Sequence, residues 1–217
     1  VLNSTTYLSF GEFIKSGNTR VYESFSEFLA TWTFPGRLHA DHLDEIFTTG
    51  RRDKHRKAHH IKCQASDMLS MLGPLALFVR TVLLALNTND DACYALLSLI
   101  ELAQHVVATS RMNVAPSRLL ALVHRFLDTF TKAFGFQWLT PKCHWLLHLP
   151  ESLQRHGRLF NCFVLERKHR VPKRYAADLT NTSRQASKTL LSEVVCHHMS
   201  SLKAADFNFE VGMVGGR

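Results

Sequence analysis

The chain has 217 residues, of which 46% are hydrophobic and 20% are charged. This balance excludes an intrinsically disordered chain and is enough for one sizeable hydrophobic core. The formal net charge of +8 favours polyanionic partners, of which nucleic acid is the most common.

The five cysteines are dispersed and form no CxxC pair, which is typical of free thiols in a reducing, intracellular compartment. The N-terminus lacks the basic segment and apolar run of a signal peptide. The most apolar stretch, residues 68–86, contains Gly73-Pro74 and Arg80. We therefore expect a buried core helix there and no membrane association, with a membrane span as the alternative.

Hydrophobic periodicity predicts a mostly α-helical bundle without a regular sheet. Residues 1–17 are weakly patterned, because Gly11 and Gly17 weaken any helix. A clear helix is predicted over 23–32, where apolar side chains recur at positions i, i+3, i+4 and i+7. Another short helix is predicted over 38–47.

Residues 51–62 form the strongest basic run of the chain, RRDKHRKAHHIK. It follows Thr48-Thr49-Gly50, so the run is predicted to begin in a loop. Three interpretations remain open: a solvated loop, a cluster of the nuclear-import type, or a contact with the DNA backbone. The last would use these basic side chains: Arg51, Arg52, Lys54, Arg56 and Lys57.

The middle of the chain predicts three long helical regions. The first covers 62–86 and is predicted to break at Gly73-Pro74. An aspartate at Asp90 or Asp91 is predicted to cap the second, which extends to about residue 112. Pro116 begins the third and Gly135 ends it.

The stretch from residue 141 to 176 contains the densest cluster of side chains that can act as acids, bases or metal ligands. His144 and His148 stand four apart, on one face of a short helix. Pro150 predicts either a kink or a new helix from Glu151, and Gly157 ends the helical part. Residues 160–165 are apolar and form the only strand-like segment.

Glu166 follows that segment and is surrounded by positive charge. It is either a salt-bridged acid on a solvated basic helix or a ligand for a divalent metal beside a phosphate backbone. In the second interpretation, four basic side chains contact the phosphates: Lys168, Arg170, Lys173 and Arg174.

The order of these motifs resembles the C-terminal part of CACTA (En/Spm-like) DNA transposases. The resemblance covers about residues 62–176. A further similarity is the helix IKCQASDMLSMLGPLALFV at 61–79, which resembles the family's Lys-x-x-Ala-x-acid helix with a Gly-Pro pair. The matching residues after it are Lys142, His144, His148, Leu149, Pro150, Glu151, Gly157, Phe163, Glu166 and His169.

The resemblance implies an RNase-H-like enzyme in which three carboxylates hold two metal ions and a helical insertion separates the second acid from the third. Glu166 then matches the third acid, with His144, His148 and His169 as supporting residues. The first two acids would lie in an N-terminal catalytic half that precedes residue 1. We therefore expect Mg²⁺ or Mn²⁺ only in a complete enzyme, DNA as a partner, a nuclear location and no activity of the isolated chain.

On this basis the chain divides into an N-terminal helical segment (1–50), an insertion-like bundle (51–140), a third-acid-like segment (141–176) and a C-terminal helix with a frayed tail (177–217), in one compact unit. Two alternatives remain. The chain is a non-catalytic basic helical module that binds nucleic acid or a protein partner, or it is a helical scaffold whose basic runs are solvated.

Overall fold

A computed structural model describes residues 1–35, 42–110 and 114–159, together with residues 191–192 and 195–196. The chain divides into two units, Val1–Leu159 and Phe160–Arg217. The described residues form helices and no strand, which confirms a mostly α-helical bundle. The strand-like segment predicted at 160–165 lies outside the described residues.

The first unit contains nine α-helices among the described residues. They are α1 (Leu2–Lys15), α2 (Val21–Ala30), α3 (Thr49–Ala58), α4 (Ala65–Ser70), α5 (Leu72–Phe78), α6 (Asp90–Ala108), α7 (Pro116–Phe134), α8 (Pro141–Leu146) and α9 (Leu149–His156). Asp44–Phe47, Leu84–Leu86 and Phe136–Trp138 are 3₁₀ segments, and Val79–Leu83 is a π-helical turn that prolongs α5.

An aromatic cluster joins α1, α2, the first 3₁₀ segment and α5. The ring of Phe25 lies 4.7 Å from that of Phe47, 4.9 Å from that of Phe78 and 5.8 Å from that of Phe10, measured between centroids. Such tilted and edge-on pairs add to the free energy gained by burying the rings. The same cluster extends to Ile100, so segments 1–50 and 51–140 share one core.

Helix α6 is the central helix of the unit because it has two apolar faces. Cys93, Leu96 and Ile100 belong to the aromatic cluster. Ala92, Ala95, Leu99 and Leu102 belong to a second cluster with α7 and Leu153 of α9. A helix that is apolar on opposite faces is expected between two layers. Of the described helices, α6 alone is long and apolar enough to cross a membrane, a criterion that the central helix of a packed bundle also meets.

Residues 2–15 form a regular helix, although the sequence pattern there is weak. Phe10 and Phe13 are fully buried in the aromatic cluster. Burying each such ring stabilises the fold by about 1.5–3 kcal/mol, whereas Gly11 costs about 1 kcal/mol of helix propensity. Tertiary packing therefore overrides the local signal.

Three predicted helix boundaries are wrong. The break in the 62–86 region falls at Met71 and not at Gly73-Pro74. Pro74 lies in the first turn of α5, where backbone N–H groups have no partner within the helix, so a proline is tolerated there. Asn89, not an aspartate, precedes α6, and its side chain donates to the Glu12 carbonyl of α1. Of the two alternatives at Pro150, a new helix is observed, but it begins at Leu149, two residues before the predicted Glu151.

Proline and glycine predict the bounds of α7 correctly. Pro116 occupies the first turn, and Gly135 follows the last residue with φ 85° and ψ 164°. That combination is accessible almost only to glycine. Gly157 likewise ends α9 in the left-handed conformation, with φ 68°.

Replacing Gly135 with alanine is expected to lower the free energy of unfolding by about 1–3 kcal/mol, because the backbone is strained for any residue with a Cβ. The new Cβ would also clash with the side-chain amide of Gln137, which would have to move. Urea denaturation followed by circular dichroism measures the effect. Gly11→Ala, inside α1 with no atom within 4 Å of the new Cβ, is the control and should stabilise by up to about 1 kcal/mol. Equal effects of the two substitutions would contradict the strain at Gly135.

Candidate nucleic-acid interface

Residues 51–58 of the basic run lie on α3, so the prediction that the run begins in a loop is wrong. Thr48 precedes the helix in an extended conformation, with φ −66° and ψ 154°. Arginine and lysine have high helix propensities, and the positive charges of Arg56 and Lys57 in the last turn offset the helix dipole. The run therefore favours a helix even though it carries no apolar stripe.

His55 attaches this helix to the core. Its ring is fully buried, and Nε2–H donates to the Ile46 carbonyl at 2.7 Å. The Lys62 backbone N–H donates to Nδ1 at 2.9 Å. One nitrogen donates and the other accepts, so the imidazole is neutral. Burial is the main cause that lowers its pKa below the ordinary value of 6.5, and this favours the same neutral form.

The ring of Tyr22 in α2 packs against both His55 and one of the cations, Arg52. The two rings are nearly parallel, with centroids 6.0 Å apart and planes 16° apart. The guanidinium of Arg52 lies over the Tyr22 ring, 5.8 Å from its centroid, and donates to the Thr19 carbonyl at 3.3 Å. A cation above an aromatic face is attracted by the ring quadrupole. Arg52 is therefore held in place without a carboxylate.

The other cations of α3 lie on its solvent side. Lys54, Arg56 and Lys57 are exposed, and Arg51 is partly buried. Arg56 bonds to Asp53 at 3.1 Å, and this is the one ion pair of the five cations among the described residues. Four positive charges within one short helix thus lack a neutralising carboxylate in that part of the chain.

The structure brings His144 and His148 together, as predicted from their spacing. Their Nε2 atoms are 3.2 Å apart, at the junction of α8 and α9, and both rings are exposed. A tetrahedral ion with metal–nitrogen bonds of about 2.0–2.1 Å separates two ligand nitrogens by about 3.3 Å. The pair could therefore supply two ligands to a transition metal. No group of three or more potential ligands lies together in the described part of the chain.

The other predicted site residues lie outside the described residues. They are Glu166, Lys168, His169, Arg170, Lys173 and Arg174. Of the predicted site residues that the structure describes, the five cations therefore lie together on α3, and the two histidines lie next to each other.

Comparison of the chain with protein-family models, with curated proteins and with solved structures finds no match.

Sequence reasoning missed the residues that surround α3. Tyr7 of α1 and Trp138 of the last 3₁₀ segment line the same groove as Arg52 and Arg56. They are far apart in the sequence, and the helix that carries Tyr7 was not predicted because the pattern of residues 1–17 is weak. The excess of basic residues was visible, but their aromatic neighbours were not.

Proposed function

We propose that this chain is a basic helical module that binds nucleic acid through α3. The observation that carries the proposal is the set of four cations on this helix without a carboxylate partner among the described residues. Lysine and arginine side chains on one exposed helix are the usual means of contacting a phosphate backbone. The buried His55 keeps the helix in place.

Binding of this kind releases counterions, so the association constant falls steeply with salt. We expect a linear fall of log K with log salt concentration for a duplex DNA probe, measured by fluorescence anisotropy. The double substitution Lys54→Gln/Lys57→Gln should reduce the slope by about 2, which is about one unit for each lysine–phosphate contact.

Arg118→Gln/Arg125→Gln is the matched control, because it removes the same charge from α7. Both arginines already bond to Glu101, at 3.1 and 2.9 Å. The control should retain the slope of the unmodified chain. An equal loss in both variants would indicate only an effect of net charge, and no binding at low salt would refute the proposal. Binding that does not depend on salt would favour the alternative, in which the module binds a protein partner.

We further propose that the module descends from a CACTA-like DDE/D transposase. The order and spacing of the motifs between residues 62 and 176 support this descent. In a complete enzyme, Glu166 would hold Mg²⁺ or Mn²⁺, together with two acids from an N-terminal catalytic half. Such a set of carboxylates does not occur among the described residues. Two acids on strand-forming segments upstream in the reading frame would support the descent, and their absence from a complete frame would contradict it.

A further inference from the structure

A groove of about 600 Å³ lies beside α3 and is bounded by α1, α2 and the last 3₁₀ segment. Its walls combine cations with aromatic rings. The residues that matter are Tyr7, Lys15, Arg52, Arg56, His59 and Trp138. This volume is typical of sites that enclose a small ligand, and it is far too small for a double helix.

One face of α3 forms the basic wall of the groove. Thr49, Arg52, Asp53 and Arg56 all line it, at spacings of three, one and three residues. Residues three and four apart share a helix face, so this wall is continuous. Lys54 and Lys57 do not line the groove, and the same helix therefore has cations both inside and beside it.

Two acids also lie in the groove, but each is already bonded to a cation. Glu12 bonds to Lys15 at 2.7 Å, and Asp53 bonds to Arg56 at 3.1 Å. Exposed ion pairs contribute little free energy, so a phosphate can compete for Lys15 or Arg56. Arg52 has no such partner among the described residues and makes the local charge positive.

Two of the aromatic rings in the groove are accessible. Trp138 is 42% exposed, and Tyr7 is half-buried with its ring edge-on to His59. Tyr22, in contrast, is almost completely buried beside His55 and Arg52. Accessible rings beside arginines are the features with which proteins stack unpaired bases and hold the flanking phosphates.

We infer that this groove binds an unpaired base of a single-stranded nucleic acid. Trp138 and Tyr7 provide stacking surfaces, and Arg52 and Arg56 bind the adjacent phosphates. A duplex keeps its bases inside the stack and can use only the outer cations of α3. The inference rests on the proposed nucleic-acid binding and specifies its substrate as a single strand.

The test compares a 12-nucleotide oligothymidylate with a 12-base-pair duplex at 50 mM NaCl, using fluorescence anisotropy and the full chain. We expect tighter binding of the single strand. Trp138→Ala should weaken single-strand binding by about 5-fold or more, the range measured for one lost base–aromatic stack, and should leave duplex binding unchanged. Trp138→Phe, which retains an aromatic face, should restore most of the affinity.

Trp145→Ala is the matched control, because Trp145 is 63% exposed and does not line the groove. It should leave both affinities unchanged, and thermal unfolding of each variant reports any loss of folding. Duplex binding that equals single-strand binding, with no effect of Trp138→Ala, would overturn this inference while leaving the proposed function in place. Binding of neither probe would overturn both.

Discussion

Replacing Phe25 with alanine is expected to lower the free energy of unfolding by about 3–5 kcal/mol. Phe25 is fully buried, and its ring contacts those of Phe10, Phe47 and Phe78. The substitution removes apolar surface and leaves a cavity among rings that belong to three different segments, α1, the first 3₁₀ segment and α5. A tightly packed cluster of rings can collapse only in part, so the cost should be near the upper end of the range.

Chemical denaturation followed by circular dichroism measures this loss. Phe136→Ala is the matched control, since Phe136 is 78% exposed and its truncation should change the free energy of unfolding by less than about 0.5 kcal/mol. A loss at Phe25 that is no larger than the loss at Phe136 would show that the aromatic cluster does not organise the fold.

The same cluster explains which parts of the fold could be predicted from the sequence. Helix α7 carries its own signals, with Pro116 at the start, Gly135 after the end and an apolar stripe between them. Helix α1 has no comparable signal, because Phe10 and Phe13 are stabilised by rings that lie far away in the sequence. Local patterns predict an element when its stabilisation is local, and miss it when the stabilisation comes from packing.

Glu101 shows the same limit for polar pairs. Sequence spacing predicts a local pair with His105, four residues later. In the structure, the Glu101 carboxylate bonds to Arg118 and Arg125 of α7, whereas His105 contacts the Glu101 backbone carbonyl at 2.9 Å. Which charges meet across two helices depends on how the helices pack, and the sequence does not reveal that register.

The candidate interface was predictable in its charge but not in its shape. The basic residues of α3 are evident from the sequence, but their helical arrangement was not predicted, because the Thr48-Thr49-Gly50 segment before them is typical of a loop. The groove is not evident, because Tyr7, Arg52 and Trp138 meet only after α1, α3 and the last 3₁₀ segment have packed. The buried His55 was equally hidden, since it lies within a run of exposed charges.

Replacing His55 with alanine is expected to lower the free energy of unfolding by about 2–5 kcal/mol at pH 7.5. The substitution leaves the buried Ile46 carbonyl and the part-buried Lys62 N–H without their partners, and an unsatisfied buried group costs about 1–3 kcal/mol. It also removes the ring packed against Tyr22. Because this histidine joins α3 to the core, nucleic-acid binding should weaken as well, although His55 is too buried to contact a ligand.

The effect of this substitution should depend on pH, with a sign that follows from the lowered pKa. In the unfolded chain His55 takes up a proton as the pH falls through its ordinary value of 6.5. In the folded chain it stays neutral to a lower pH, because burial and the nearby Arg51 lower its pKa and outweigh the opposing hydrogen bond to Ile46. Between the two pKa values the unfolded chain binds more protons, so acidification destabilises the fold.

Denaturation of the original chain and of His55→Ala at pH 7.5 and at pH 5 tests this linkage. The difference in unfolding free energy between the two proteins should be largest above pH 6.5 and should shrink as the pH falls, because only the original chain loses stability through His55. Comparing the two proteins cancels the contributions of the other twelve histidines. His124→Ala, at an exposed position on α7, is the control and should give a small difference at both values of pH. A difference for His55→Ala that stays constant between pH 7.5 and pH 5 would contradict a neutral, buried imidazole as the attachment of the basic helix.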